Sequence, residues 1–188
     1  MRLIGGIYKG TTLFQPQDKL TRPLKDMTKE AIFNLLIHSN KINLRFDSLS
    51  VLDIFSGTGS FGLECISRGA KKVTFIENYD PIINILQKNI LKLNVKNKCS
   101  IIKQDLVNFL QNTSFFDNYD FIFLDPPFKF ENINELLLQM INKKLIKKNT
   151  LLTIHRHKKT FDNFTDQLKV VDERIYGKSK ISFLKLNQ

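Results

Sequence analysis

The sequence predicts an α/β fold: a doubly wound, mainly parallel sheet of seven strands, with an antiparallel hairpin at the C-terminus and a β-hairpin and helix at the N-terminus. Three observations predict it. Short apolar runs alternate with longer segments of helical periodicity between residues 50 and 156. A glycine-rich segment, residues 57–62, joins the first run to its helix. Two strand-like runs flank Gly177-Lys178 near the end of the chain.

The N-terminal segment precedes this alternation. Residues 1–20 are expected to form a short hairpin, because Gly5, Gly6 and Gly10 interrupt them at turn-like positions. Residues 25–38 are expected to form a helix whose apolar side is made by Met27, Ala31, Ile32, Leu35 and Leu36. We therefore divide the chain into a basic N-terminal hairpin extension, residues 1–24, and one compact domain, residues 25–188.

Strands and helices alternate through the rest of the chain. The strands are expected at 50–55, 72–77, 99–105, 119–125 and 150–156, and the helices at 60–69, 80–94, 106–111 and 132–145. Gly69 suits a helix C-terminus, and Pro81 suits the first helical position with Asp80 as N-cap. The tail, residues 168–186, is expected to be a hairpin. Rossmann-like sheets of this kind bind ligands beyond the carboxyl ends of their strands, so residues that follow strands are the candidates for function.

Length and composition fit one globular domain with a packed core: 188 residues, of which 42% are hydrophobic. No apolar run approaches the length of a membrane span, and the first residues lack the apolar stretch of a signal peptide. We therefore expect a cytoplasmic protein with no membrane partner. The net charge of +11 favours a polyanionic partner, although a general excess of lysine would also produce it.

The sequence gives no support for a metal site. It has no CxxC or HExxH motif and no P-loop pattern GxxxxGK[ST], and Cys65 and Cys99 lie in periodic apolar segments typical of reduced core thiols. His155 and His157 would share one face of a strand, but the pattern supplies no third ligand. We expect no bound metal.

The segment VLDIFSGTGSFG contains the pattern Gly57-x-Gly59-x-x-Gly62 between a strand and a helix. The first glycines allow a tight turn and the close approach of a ligand, and the third allows the helix to pack closely on the strand. Glu77 ends the next strand, where its carboxylate is placed to bind two ribose hydroxyls. This fingerprint fits NAD as well as S-adenosylmethionine (SAM).

Two acids favour SAM over NAD. Asp53 lies just before the glycine loop, where it would attract an ammonium or sulfonium and repel a pyrophosphate. Asp105 ends the third strand, where it would accept a hydrogen bond from an adenine amine, although it would also suit the N-cap of the next helix. With Ser56 and Thr58 of the loop, these residues complete the expected cofactor site.

The fourth strand stops on Asp125-Pro126-Pro127-Phe128. Two prolines end the hydrogen-bonding ladder of the strand and hold a carboxylate, a carbonyl and an aromatic ring rigidly at its tip. An exocyclic amine on a base is a poor nucleophile because its lone pair is delocalised into the ring. Asp125 and the Pro126 carbonyl would hold its N–H groups and aim that lone pair at a methyl group, while Phe128 would stack on the base.

These segments resemble a known family. The glycine loop, the later FIE and the LDPPF resemble class I SAM-dependent methyltransferases that act on an exocyclic amine. The N-terminal RLIGGIYKG and RPLKDMTKEAIFNLL, with the late YGKSKISF, make the chain similar to the RsmD family, bacterial enzymes that modify N2 of a guanine in 16S ribosomal RNA. The resemblance extends over nearly the whole chain.

The resemblance implies that Asp53, Gly57, Gly59, Glu77 and Asp105 bind SAM and that Asp125 to Phe128 form the catalytic loop. It also implies ribosomal RNA, in the assembled small subunit, as the substrate of what we expect to be a monomer. This chain departs from the usual family pattern at three positions, which affect contacts with cofactor and substrate rather than the reaction class: Leu24 in place of Thr, Tyr79 in place of Asp and His155 in place of Glu.

The N-terminal extension is expected to hold RNA phosphates through Arg2, Lys9 and Arg22, with the alternative that it only covers the edge of the sheet. Three other functions stay open from the sequence. An adenine-N6 DNA methyltransferase would use the same Asp-Pro-Pro-aromatic tetrad, but the chain leaves little room for a target-recognition domain. An NAD-dependent oxidoreductase would need a hydride-transfer partner that we do not find. A non-catalytic RNA-binding protein would not need an intact tetrad.

Overall fold

The computed structural model of the protein describes residues 1–16, 24–112 and 117–187. Its helices are α1 Asp26–His38, α2 Ser60–Ser67, α3 Asp80–Lys92, α4 Leu106–Asn112 and α5 Ile133–Asn142, with a short 3-10 helix at Lys96–Lys98. Its strands are β1 Ser50–Ile54, β2 Lys72–Ile76, β3 Cys99–Ile102, β4 Phe121–Leu124, β5 Leu151–His157, β6 Leu168–Tyr176 and β7 Ser179–Leu186. The alternation predicted from the sequence is confirmed, with ends that differ by a few residues.

The seven strands form one sheet in the order β3-β2-β1-β4-β5-β7-β6. The first five in that order run parallel, and β7 is antiparallel to both β5 and β6. The β6–β7 hairpin turns at Gly177 and Lys178, as predicted. The strand order reverses direction beside β1, which has β2 on one side and β4 on the other. Such a switch point opens a crevice at the carboxyl ends of the two central strands.

Apolar side chains cover both faces of the sheet, which is the condition for a parallel sheet with helices on each side. On one face, Phe61 of α2 stacks on Phe123 of β4, with ring centroids 3.6 Å apart and planes 9° from parallel. On the other face, Leu52 and Leu124 pack with Leu137 of α5. The central strands are therefore buried on both sides, and only their ends are open to a ligand.

The N-terminal segment doubles back as predicted, with the Leu3 amide donating to the Thr11 carbonyl at 3.0 Å and the Leu13 amide to the Met1 carbonyl at 3.1 Å, but its described part forms no extended strands. In its described part a single antiparallel bridge joins Arg2 to Thr12, and residues 17–20 of the predicted hairpin lie outside the described residues. The segment instead packs along α2: the Ile4 amide donates to Glu64 and the Tyr8 amide to Ser67 Oγ. A side chain on Gly6, which has φ +73°, would lie 1.8 Å from the Ser67 carbonyl oxygen. The glycine therefore serves contact with α2.

The direction of α2 decides where this segment ends. Because α2 follows parallel strand β1 and precedes β2, its C-terminal residue Ser67 lies at the amino edge of the sheet. The turn at residues 6–10 is held there by the Ile7 amide, which donates to the Ser67 carbonyl at 2.7 Å. The tip of the segment is therefore at the opposite edge of the sheet from the carboxyl ends of the strands. Within the described residues, no helix is long and apolar enough to span a membrane.

Candidate active site

A cleft opens at the carboxyl ends of β1 and β4. Its walls come from the end of β1, the glycine loop (residues 56–59), the start of α2 and the end of β4. The lining residues include Leu24, Asp53, Phe55, Ser56, Gly57, Thr58, Ser60, Phe61, Phe123 and Asp125. The cleft thus brings together the two segments that the sequence singled out, the glycine loop and the Asp-Pro-Pro-Phe tetrad.

The backbone of the glycine loop is left-handed at Phe55, Gly57 and Gly59, with φ of 58°, 53° and 77°. A side chain on Gly57 would meet nothing within 4 Å, so its surroundings are open to a ligand. A side chain on Gly62 would lie 2.4 Å from a ring carbon of Phe75 in β2. The third glycine therefore allows α2 to pack closely on the sheet, as the spacing predicted. Left-handed Phe55 is strained, which is common where a loop is shaped for function.

Glu77 follows β2 and braces the glycine loop. Its Oε2 accepts a hydrogen bond from the Gly57 amide at 2.9 Å, and its Oε1 accepts from the amides of Asn78 and Tyr79 at 2.9 and 3.0 Å. A carboxylate has about four acceptor sites. Three are used within the protein, which leaves one for a ligand in this arrangement; the expected hydrogen bonds from Glu77 to two ribose hydroxyls stay a prediction.

Asp53 lies almost fully buried at the end of β1, and its Oδ2 accepts a hydrogen bond from the Gly62 amide at 2.9 Å. Burial raises the pKa of the Asp53 carboxyl well above its ordinary value, against the Gly62 hydrogen bond, which lowers it. A cation in the cleft would favour the ionised carboxylate and so offset the cost of its burial. Asp53 is thus better matched to a cationic ligand than to an anionic one.

The loop presents one buried polar atom to be satisfied. Ser56 Oγ is buried and has no hydrogen-bond partner among the described residues, and buried polar groups of this kind are rare in native proteins. With the open space at Gly57, the remaining acceptor of Glu77 and the buried acid Asp53, the cleft fits a ligand that carries hydroxyl groups and a positive charge. S-adenosylmethionine meets that description.

Asp105 caps α4 in the structure. Its Oδ1 accepts from the Asn108 amide at 2.9 Å, its Oδ2 contacts the Asn108 side-chain amide, and its carbonyl accepts from the Phe109 amide. This is the N-cap alternative that the sequence allowed. Its contact with an adenine amine stays a prediction.

Asp125 is fixed by a buried histidine. Asp125 Oδ1 lies 2.8 Å from His155 Nδ1, and His155 Nε2 lies 2.8 Å from Ser179 Oγ. An ionised Asp125 requires the proton of a neutral His155 to be on Nδ1, and Nε2 then accepts from the Ser179 hydroxyl. His155 is one of the positions at which this chain departs from the usual family pattern. Because Oδ1 is in contact with His155, Oδ2 is the Asp125 oxygen that could accept a hydrogen bond from a substrate.

Arg156 holds the rest of the tetrad and was not found from the sequence. Its two terminal nitrogens donate to the Pro127 carbonyl at 3.2 Å and the Phe130 carbonyl at 2.6 Å, and its Nε pairs with Asp162 at 3.2 Å. The guanidinium is almost fully buried. The one feature of the sequence that could have drawn attention to Arg156 is its position next to His155 near the end of a strand. Successive side chains of a strand point to opposite faces of the sheet, so the two residues lie on opposite faces.

Phe128 lies partly exposed beyond the prolines. Its ring meets the rings of His155 and His157 edge to face, with centroids 5.7 and 5.2 Å away. Phe128, His155 and His157 therefore form a cluster of rings, which suits the stacking of a planar base next to Asp125.

The structure separates the residues that we predicted to bind RNA. Arg2 is exposed, and its carbonyl accepts from Lys29 Nζ, which also donates to Ser60 Oγ at the start of α2. Lys9 lies in the tip of the N-terminal segment at the amino edge of the sheet. We expected the N-terminal extension to lie beside the carboxyl edge of the sheet, but packing of Gly6 on Ser67 directs its tip to the amino edge. Contact between Lys9 and RNA stays a prediction. Arg22 lies outside the described residues.

Comparisons with known proteins agree on one family. A family model described as Conserved hypothetical protein 95 matches residues 1–185. A ribosomal RNA small subunit methyltransferase D from Haemophilus influenzae is 34% identical over 166 residues, which cover 84% of this chain and 79% of the relative. A protein of the same name from Buchnera aphidicola is 31% identical over 156 residues, covering 83% of this chain and 76% of the relative.

Solved structures share the fold over the whole chain. A structure from Escherichia coli, provisionally described as a methyltransferase, superposes with a TM-score of 0.84 at 22% identity and covers 100% of this chain and 99% of its own. Another from Haemophilus influenzae, provisionally described as a methylase, has a TM-score of 0.78 at 28% identity and covers 100% and 98%. Among the described residues, no cluster of three or more His, Cys, Asp or Glu side chains could hold a metal ion.

Proposed function

The chain belongs to the family described as Conserved hypothetical protein 95, the RsmD family, and on this premise we propose that it transfers a methyl group from SAM to the exocyclic N2 amine of a guanine in small-subunit ribosomal RNA. The observation that carries the proposal is the position of Asp125, which is fixed by His155 at the mouth of the cleft that contains the glycine loop. A methyl donor in that cleft and an amine at Asp125 would be neighbours.

The cleft fits SAM through residues of this chain. In this proposal the ribose of SAM donates a hydrogen bond to the remaining acceptor of Glu77, and the positive charge of SAM lies near Asp53. Ser56 and Thr58 contact the polar groups of SAM nearest the glycine loop. The adenine amine donates to Asp105. When bound there, SAM supplies a methyl group on a positively charged sulfur, a good leaving group. No strong base is therefore needed before the amine attacks.

The tetrad positions the amine. Asp125 Oδ2 accepts one N–H of the guanine N2 amine and the Pro126 carbonyl accepts the other, which directs the nitrogen lone pair away from the ring. His155 keeps Asp125 Oδ1 occupied, so the carboxylate cannot rotate away from the amine. After transfer the nitrogen carries a positive charge, and Asp125 is the nearest group in this arrangement to receive its proton. Phe128 stacks on the guanine.

The substrate and location follow from the same proposal. The relatives are named for small-subunit ribosomal RNA, and a net charge of +11 suits a polyanionic substrate. We propose that a monomer acts in the cytoplasm on ribosomal RNA, in the assembled small subunit.

Replacing Glu77 by alanine is expected to weaken SAM binding about tenfold or more. The variant loses a hydrogen bond to an ionised carboxylate, worth about 1.5–3 kcal/mol, and also the brace on the Gly57 amide. Glu77→Gln, which keeps one carbonyl acceptor, should lose less. Calorimetric titration with SAM measures both variants against the wild type, and equal affinity in Glu77→Ala would remove this residue from the site.

One titration separates the proposed function from an oxidoreductase. The wild-type protein is titrated with SAM and, separately, with NAD in the same calorimeter. We expect heat of binding with SAM only, because Asp53 at the cleft would repel a pyrophosphate. Binding of NAD with no binding of SAM would overturn the proposal.

A further inference from the structure

A second cleft lies behind the tetrad, between the loop that follows Phe128 and the loop that follows β5. It is an open cleft lined by residues 130–134 on one side and residues 160–163 with Arg156 on the other. Asn134 Oδ1 is buried at this cleft and has no hydrogen-bond partner among the described residues. The cleft therefore offers an unsatisfied amide oxygen to a ligand.

An aromatic ring and three lysines border this cleft. Phe161 is 100% exposed, although an exposed phenylalanine forgoes the burial that usually stabilises it. Lys158 and Lys159 precede it and are exposed, as is Lys178 in the β6–β7 turn. The Lys158 amide donates to the Lys178 carbonyl at 2.8 Å, so the turn and the loop are adjacent. We call Lys158, Lys159, Phe161 and Lys178 the β5-loop surface.

The loop that carries Phe161 is braced. Lys180 Nζ donates to the Thr160 carbonyl at 2.6 Å, and Asp162 pairs with both Arg156 and Lys180. Those pairs neutralise Asp162; the exposed acids near the two lysines of the loop are Asp166, later in the same loop, and Glu131 on the facing wall of the cleft. An exposed ring on a braced loop is poised for a partner at little cost in ordering.

Arg156 ties this surface to the reaction centre. The same guanidinium that pairs with Asp162 donates to the carbonyls of Pro127 and Phe130. The β5-loop surface is therefore held at a fixed position relative to the loop that carries the tetrad. A chain of nucleotides with its target base at Phe128 would pass over it.

We propose that the β5-loop surface and the second cleft bind the unpaired nucleotides beside the target guanine. Phe161 stacks on a flanking base, the three lysines contact the phosphates, and Asn134 Oδ1 accepts from a base edge. This inference rests on the proposed function for its substrate. It places the RNA at the carboxyl edge of the sheet, on residues that the sequence did not single out, rather than at the tip of the N-terminal segment.

Two variants and a matched control test this surface. Phe161→Ser removes the ring, and a triple variant changes Lys158, Lys159 and Lys178 to glutamine. The control changes three exposed lysines at the amino edge, Lys71, Lys96 and Lys148, to glutamine, which is the same change in charge. Binding to small ribosomal subunits from cells that lack this protein is measured by fluorescence anisotropy over a range of salt concentrations, and SAM binding is measured by calorimetry.

We expect Phe161→Ser to weaken RNA binding about tenfold and Phe161→Trp to restore it, because any base can stack on either ring. The triple variant should flatten the plot of log affinity against log salt by about two to three units, since each phosphate contact contributes about 0.7–0.9. The control should keep the wild-type slope, and SAM affinity should be unchanged throughout.

Several outcomes overturn the proposal: wild-type slope and affinity in both variants, an equal loss in the amino-edge control, or no RNA binding by the wild type. A wild type that binds RNA but does not methylate it overturns the proposed function instead, and the binding data still decide on this surface.

Discussion

Asp125→Ala is expected to reduce methyl transfer by about 10²- to 10³-fold while leaving SAM affinity within a few-fold, since losing one positioned polar group from an active site has an effect of that size. Asp125 Oδ1 is committed to His155, and its other oxygen is the one that would hold the amine. Single-turnover rates with labelled SAM and small ribosomal subunits from cells that lack this protein measure the effect, and calorimetry measures SAM binding.

The same strand supplies a matched control. Asp120 lies at the other end of β4, is exposed, and accepts from the Ser50 amide at 2.8 Å. Asp120→Ala removes one carboxylate and one hydrogen bond at the edge of the sheet far from the cleft, so it should turn over at close to the wild-type rate. Near-normal turnover by Asp125→Ala would mean that this acid only ends a strand.

His155 gives a graded version of this test. His155→Leu leaves the Asp125 carboxylate without its partner, whereas the amide of His155→Asn can still donate to it from near the position of Nδ1. We expect a slower single-turnover rate in the leucine variant, part of the rate restored in the asparagine variant, and unchanged SAM affinity in both. Equal rates in the two variants would show that His155 does not act through Asp125.

Glu64→Ala is expected to lower the free energy of unfolding by about 3–5 kcal/mol, the usual loss when one partner of a buried ion pair is removed. Glu64 lies in α2 and is fully buried. It accepts from Arg68 Nε and the Ile4 amide, both at 2.8 Å, and lies 3.8 Å from Lys29 Nζ. Burial already lowers the pKa of Lys29, and the Glu64 carboxylate opposes that shift. Without Glu64, a buried ammonium loses its nearest counter-charge.

Urea unfolding compares this variant with Glu30→Ala, in which an exposed glutamate of α1 is removed. The control should change stability by less than about 0.5 kcal/mol, as surface substitutions usually do. The double variant Lys29→Met with Glu64→Met should recover part of the loss, because it removes both buried charges together. A loss below about 1 kcal/mol in Glu64→Ala would contradict the structural role of this cluster.

The sheet and the cleft could be predicted because they depend on local patterns. The apolar runs and the glycine spacing specify strands, a turn and a close helix contact, and proline ends β4 at Asp125. The buried side of α1 could not be predicted in the same way. Met27, which we placed in the core, is 83% exposed, whereas Lys29 is fully buried. The periodicity of α1 is compatible with more than one buried face. The face that is buried depends on contacts of Lys29 with Arg2, Ser60 and Glu64, which come from other parts of the chain.

The same limit applies at the site. Asp53, Gly57 and Asp125 could be found because each follows or ends a strand in a recognisable pattern. Arg156 could not, because its partners Pro127 and Phe130 lie in the loop after β4, and Ser179 could not, because it meets His155 only when β7 pairs with β5. The position of Lys9 was mispredicted for a related reason: a basic turn has no sequence signal for the edge of the sheet against which it packs.

The most direct test of the account identifies the methylated nucleoside. Small ribosomal subunits from cells that lack this protein are incubated with the purified protein and SAM carrying a deuterated methyl group, and their RNA is then extracted, digested and analysed by mass spectrometry. The account predicts labelled N2-methylguanosine from one site with the wild type, and none with Asp125→Ala. Labelled N6-methyladenosine, or unlabelled RNA with an active SAM-binding protein, would contradict it.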